Sequence, residues 1–105
     1  MKNILPAELK AELATGKKIQ LLDVREAWEY ELCHVPDSQH MPMHLVPTRC
    51  DELPADQDIV VICHHGGRSM QVAMFLERRG FAAIHNLAGG VDAWANEVDS
   101  SLRRY

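Results

Sequence analysis

The chain has 105 residues, enough for one folded core and too few for two. Hydrophobic content of 47% and charged content of 25% are ordinary for a globular protein, and a net charge of −4 argues against nucleic acid as the main partner. Lys17-Lys18 and Arg103-Arg104 are short basic pairs rather than a cluster, and the apolar runs fall far below a bilayer span.

Met1-Lys2-Asn3-Ile4 begins no signal sequence, and Cys33, Cys50 and Cys63 are too few and odd in number for a disulfide framework. The expectation is a cytoplasmic protein with no membrane partner. In chain order, Leu5, Leu9 and Leu13 recur at intervals of four, with Pro6 at a first turn and Gly16 at a stop, which predicts an amphipathic helix. Ile19 to Val24 reads as a strand whose polar Asp23 needs a partner, with Arg25 the nearest candidate. Glu26 to Leu32 predicts a short helix, Cys33-His34-Val35-Pro36-Asp37-Ser38 a turn-rich connection, and Gln39 to Pro42 a brief strand. Met43 to Leu53 reads as one or two helical turns around Pro47.

Asp58-Ile59-Val60-Val61-Ile62-Cys63 is an apolar run stopped by a cysteine, and His64-His65-Gly66-Gly67-Arg68-Ser69-Met70 restarts with helical spacing. An uninterrupted β-branched run fits a strand buried on both faces, which sets Cys63 at the carboxyl edge of a parallel sheet, where α/β proteins place ligands. The following helix should run from about Ser69 to Arg79 and end at a left-handed Gly80. Its positive end then favours negative charge on the Cys63 sulfur and makes it a nucleophile. The glycines let the loop curl so that successive amides face inward around an anion. This reading requires that Cys63 be reachable from solvent and that the loop amides face its sulfur. Phe81 to Leu87 predicts a last strand and Val91 to Val98 a last helix, with residues 1–98 one domain and 99–105 a frayed tail. Alternating strands and helices of this length make an α/β fold.

Four pieces carry a family resemblance: Leu21-Leu22-Asp23-Val24-Arg25-Glu26, His34-Val35-Pro36, Cys63 to Ser69, and Leu87-Ala88-Gly89-Gly90-Val91 with Trp94. In order and spacing they resemble a single-domain rhodanese, a thiosulfate- or persulfide-using sulfurtransferase. The resemblance implies a three-layer sandwich around a mostly parallel five-stranded sheet. It also implies sulfane sulfur transfer through a persulfide on Cys63, with His64 to Ser69 as the binding loop. Asp23, Arg25 and His34 match positions that look architectural. The chain departs from the pattern at His64, where arginine is common, and at Cys33 and Asp37, where glycine is common; Asp tolerates the positive φ such a turn needs.

The implied reaction uses no cofactor and no metal, and its partners are a small anionic sulfur donor and an acceptor, either cyanide or a thiol such as a protein cysteine. Two other readings compete: a non-catalytic docking module, and a cysteine phosphatase or arsenate reductase, whose loop is one residue longer than the Cys63 to Arg68 loop. Arg68 could bind a carboxylate or carbonyls, or steer a donor. His64 and His65, being adjacent, should point different ways and chelate poorly. Cys50 reads as a packed thiol, Cys33 as structural or as a resolving thiol, Trp28 and Trp94 as core anchors. Met41, Met43, Met70 and Met74 read as core or entrance residues, His40, His44 and His85 as isolated, and Glu29 and Glu31 as a solvated face.

Overall fold

A computed structural model describes residues 1–105. Its strands are β1 (Lys2–Ile4), β2 (Ile19–Asp23), β3 (Gln39–His40), β4 (Asp58–Ile62) and β5 (Ile84–Leu87). The helices are α1 (Pro6–Ala14), α2 (Ala27–Leu32), α3 (Val46–Arg49), α4 (Gly67–Arg78) and α5 (Gly90–Glu97). All strand pairs are parallel, in the order β1-β5-β4-β2-β3, so the β-branched strand sits at the centre as expected.

Alternation along β4 divides the core. Ile59, Val61 and Cys63 face Val72, Ala73 and Leu76 of α4, together with Leu22 and Val24. Val60 and Ile62 face the other way, against Leu9 of α1 and Val91 and Trp94 of α5. Cys63 thus continues the α4 side of the strand and lies under that helix's first turn. None of the helices is long and apolar enough to cross a membrane.

Several expectations are corrected. Lys2–Ile4 is a strand, pairing Asn3 with Asn86, although only Ile4 of the three is buried and no alternation marks it. Met43 to Glu52 forms three short helical pieces, with Pro47 tolerated in the first turn of α3, where its missing N–H has no intrahelical partner. Helix α4 begins two residues early, because Gly66 takes φ 107° and closes the preceding turn. Asp37 does carry a positive φ of 66° and Gly80 one of 99°.

Residues 99–105 are packed rather than frayed: Leu102 and Tyr105 lie against the α1/α5 core. Trp28 is 61% exposed, whereas Trp94 is buried. The inward face of α2 belongs instead to Glu29, which is 3% exposed and contradicts the solvated-face reading. Met41 is buried and Met74 exposed, and Cys50 is packed in the core.

Candidate active site

Cys63 follows the last residue of β4, and the loop after it is pinned from the α5 side. The N–H groups of Val91 and Asp92 donate to the carbonyls of Cys63 (2.8 Å) and His64 (3.1 Å). In trans peptides the N–H points opposite to the C=O, so the amides of His64 and His65 face away from α5. Neither finds a partner within the protein. Gly66 N–H donates to Cys63 Sγ at 3.0 Å. Of the amide ring expected from His64 to Arg68, this is the one that touches sulfur.

Ser69 Oγ, in the first turn of α4, lies 3.3 Å from Sγ and also donates to Asn86 Oδ1. Asn86 Nδ2 is committed to Asn3 Oδ1 (3.0 Å) and to the Gly66 carbonyl (3.3 Å), which leaves Oδ1 as the acceptor. One hydroxyl proton cannot serve two acceptors fully. A thiol at Cys63 leaves it on Asn86, and an anionic sulfur draws it away.

Two ion pairs lie on the β2 and α2 side, and one of them, Arg68–Glu29, reaches the loop. Arg25, wholly buried, gives Nε (2.9 Å) and Nη2 (2.7 Å) to the two oxygens of Asp23, the partner the sequence suggests. Its other N–H groups reach the carbonyls of Cys33 (2.6 Å) and Glu29 (3.3 Å) and the hydroxyl of Tyr105 (2.8 Å). Burial opposes the Arg25 charge, and the bonds from Asp23 and Tyr105 outweigh it, so its pKa is raised.

Arg68 gives Nη1 (2.7 Å) and Nη2 (2.9 Å) to Glu29, a carboxylate partner of the kind its sequence position allowed. Those bonds hold the Glu29 carboxyl down at about 2, against a burial effect of opposite sign. Tyr105 O–H donates to the same carboxylate at 2.7 Å, and burial pushes the phenol up to about 12. His34 Nδ1 donates to the Tyr30 carbonyl at 2.8 Å and so holds its loop.

His64 and His65 do not diverge as expected. Their ring centroids are 3.8 Å apart, and the opposite face of His64 stacks on Tyr105 at 3.9 Å and 6°. His64 Nε2 is buried without a partner, and desolvation, followed by repulsion from His65, lowers its pKa. Donor atoms of His64, His65 and Asp92 lie within 4.8 Å of one another and are the residues that could hold a cation, although Arg104 already bridges both Asp92 oxygens at 3.0 and 3.1 Å.

Tyr105 therefore spans from the residue next to Cys63 to Arg25 and Glu29. Cys63 is 1% exposed, which overturns the expectation of a thiol open to solvent. A reactant reaches Sγ only when the groups that enclose it move aside. Cys33 and Cys50 are also free and buried. Glu29, Asn86 and Tyr105 were missed by sequence reasoning. A lone Asn in an apolar strand and a loop arginine in need of a carboxylate were the available signals for the first two.

The groups brought together are a buried cysteine sulfur, unpartnered loop amides and the Ser69 hydroxyl. Comparison with known proteins agrees in kind. Residues 5–97 match the family described as the Rhodanese-like domain. A sulfurtransferase of Allochromatium vinosum is 39% identical over 83% of this chain and 81% of its own. The thiosulfate sulfurtransferase GlpE of Pseudomonas syringae is 33% identical over 89% of this chain and 86% of its own. The crystal structure of a rhodanese-like domain protein from Staphylococcus aureus superimposes with a TM-score of 0.86 at 30% identity, covering 100% of this chain and 99% of the other.

Proposed function

This chain belongs to the rhodanese-like domain family, and we propose that it is a sulfurtransferase that moves a sulfane sulfur through a persulfide on Cys63. The Cys63 thiolate attacks the outer sulfur of a donor, thiosulfate or a persulfide, and the remainder of the donor leaves with the bonding electron pair. A second thiol, of a small molecule or of a protein cysteine, or cyanide, then takes the outer sulfur and restores the thiolate. No metal or organic cofactor enters these steps. Three free cysteines suit a reducing compartment, and we place the protein in the cytoplasm.

The observation that carries the reading is Gly66 N–H on Cys63 Sγ at 3.0 Å, beside the unpartnered amides of His64 and His65. A persulfide's terminal sulfur is an anion that needs such donors, and each bond to it contributes about 1.5–3 kcal/mol. Asp23, Arg25 and His34 tie β2 to the segment around α2 and take no part in the chemistry.

The 1% exposure of Cys63 favours a second reading, a docking module whose thiol is not used. Intact mass separates the two. After incubation with a sulfane sulfur donor the enzyme gains one sulfur, about 32 Da, on Cys63 and loses it to cyanide. Cys63→Ser gains nothing. A parent protein that takes up sulfur from no donor is the docking module.

A further inference from the structure

We propose that Asn3, on the edge strand β1, is a positioning residue for the Cys63 sulfur and acts through Asn86; the proposal rests on the persulfide reading above. Asparagine is a poor strand former, yet two of them stand opposite each other on neighbouring strands, Asn3 of β1 and Asn86 of β5. Side chains at paired positions share a face of the sheet, and Asn3 Oδ1 accepts from Asn86 Nδ2 at 3.0 Å across eighty-three positions of chain.

Asn86 is 3% exposed, and both ends of its amide are engaged. Oδ1 accepts from Ser69 Oγ, while Nδ2 donates to Asn3 Oδ1 and to the Gly66 carbonyl at 3.3 Å. Turned over, the amide would set Oδ1 against two oxygens, that of Asn3 and that of Gly66. One of the two acceptors that fix its direction is therefore supplied by β1.

What Asn86 holds bears on the sulfur from two sides. Ser69 Oγ lies 3.3 Å from Sγ and shares its proton between Asn86 and the sulfur. The Gly66 carbonyl is fixed by Asn86 Nδ2 and by the Met70 N–H at 3.2 Å. With the Gly66 φ at 107°, that fixes where its own N–H points, which is onto Sγ at 3.0 Å. Loss of the Asn3 acceptor leaves a buried N–H of Asn86 short of a partner, and the amide shifts to find one. The Gly66 N–H and the Ser69 hydroxyl then lose their fixed places, and negative charge on the sulfur loses donors.

The test follows Cys63 in the parent, Asn3→Leu and Asn3→Asp by two readouts. One is the pH profile of its alkylation by iodoacetamide. The other is its rate of sulfur gain, by intact mass, from thiosulfate or the hydropersulfide of 2-mercaptoethanol, whichever loads the parent faster. Asn3→Leu keeps the branching of asparagine, offers no acceptor and fills the place a water would take. It moves the midpoint of the alkylation profile up by about half a pH unit or more and slows sulfur gain about tenfold. Asn3→Asp retains Oδ1 and stays within about threefold of the parent rate. In an Asn86→Leu background, where the contact is already gone, adding Asn3→Leu changes the rate by less than about twofold.

An Asn3→Leu protein with a lower urea midpoint but the parent's alkylation profile and sulfur-gain rate shows Asn3 to be a strand residue only; that result overturns the proposal and leaves sulfur transfer standing. An aspartate as slow as the leucine, or effects at Asn3 and Asn86 that simply add, overturns it as well. If neither donor loads the parent, the sulfur-transfer reading falls, and the alkylation profiles alone decide whether Asn3 reaches the sulfur.

Discussion

Gly90 lies so close to Cys63 that a methyl group on its Cα would stand 2.4 Å from the Cys63 carbonyl oxygen and 2.4 Å from that of His64. Those carbonyls are the acceptors for α5's first amides, and their approach fixes which way the loop's other amides face. Gly90 also holds φ at 62°, where a side chain is strained. Gly90→Ala should therefore lose about 3 kcal/mol or more of stability in urea unfolding. Gly67→Ala is the contrast, since nothing lies within 4 Å of its added methyl. It sits in the first turn of α4 and should be neutral or more stable by up to about 1 kcal/mol.

The Glu29 pair sets an acid limit on the fold. Its carboxyl is held at about 2 in the folded protein against an ordinary value of 4.5. A depressed folded value contributes stability above the unfolded value and loses it as pH falls through the folded one. The parent should therefore weaken between about pH 5 and pH 2, with about 3 kcal/mol of that loss assignable to Glu29. Urea midpoints across this range should show a shallower acid limb for Glu29→Gln than for the parent. Parallel limbs would remove the ion pair from the account.

How much of this was legible in the sequence follows from how local each feature is. Strand β4 was readable because its residues are buried on both faces, and the Asp23–Arg25 pair because its partners are two residues apart. The Arg68–Glu29 pair spans thirty-nine positions and joins a loop to the inward face of a six-residue helix too short for its periodicity to be read. Strand β1 has one buried side chain and exists because β5 offers it an edge. The tail was unreadable for the same reason: Tyr105 is ordered by Arg25, Glu29 and His64, each more than forty residues away in the chain. Local pattern gave the place of Cys63 after β4 and the helix that follows, and long-range pairing supplied their surroundings.

Ser69 should matter to the persulfide more than to the fold. Its hydroxyl is the one side-chain group within reach of Sγ, at 3.3 Å, and it serves Asn86 when the sulfur is neutral. Ser69→Ala removes a bond that strengthens as charge builds on sulfur, and should slow sulfur loading about tenfold to a hundredfold. Stability should fall by about 1–2 kcal/mol, because Asn86 Oδ1 is left unpaired. Stopped-flow loading rates with equal protein concentrations would show the difference. An unchanged rate would mean the hydroxyl stays on Asn86 throughout.

Tyr105 should limit access to the sulfur, because it covers the residue next to Cys63. Its ring covers His64, its edge meets Trp28 at a centroid distance of 5.7 Å, and its hydroxyl ties to Arg25 and Glu29. Tyr105→Ala should open the mouth of the loop and speed alkylation of Cys63 by iodoacetamide about tenfold, while Cys33 and Cys50, buried elsewhere, keep their slow rates. Tyr105→Phe keeps the stacking but leaves an N–H of Arg25 and a Glu29 oxygen short of a partner, so it should fall between parent and Ala in alkylation rate and cost about 1–2 kcal/mol in stability. Peptide mapping by mass spectrometry resolves the three cysteines separately. Equal alkylation of Cys63 in all three proteins would show that the path to the sulfur opens elsewhere, through movement of His64 and His65 rather than of the tail.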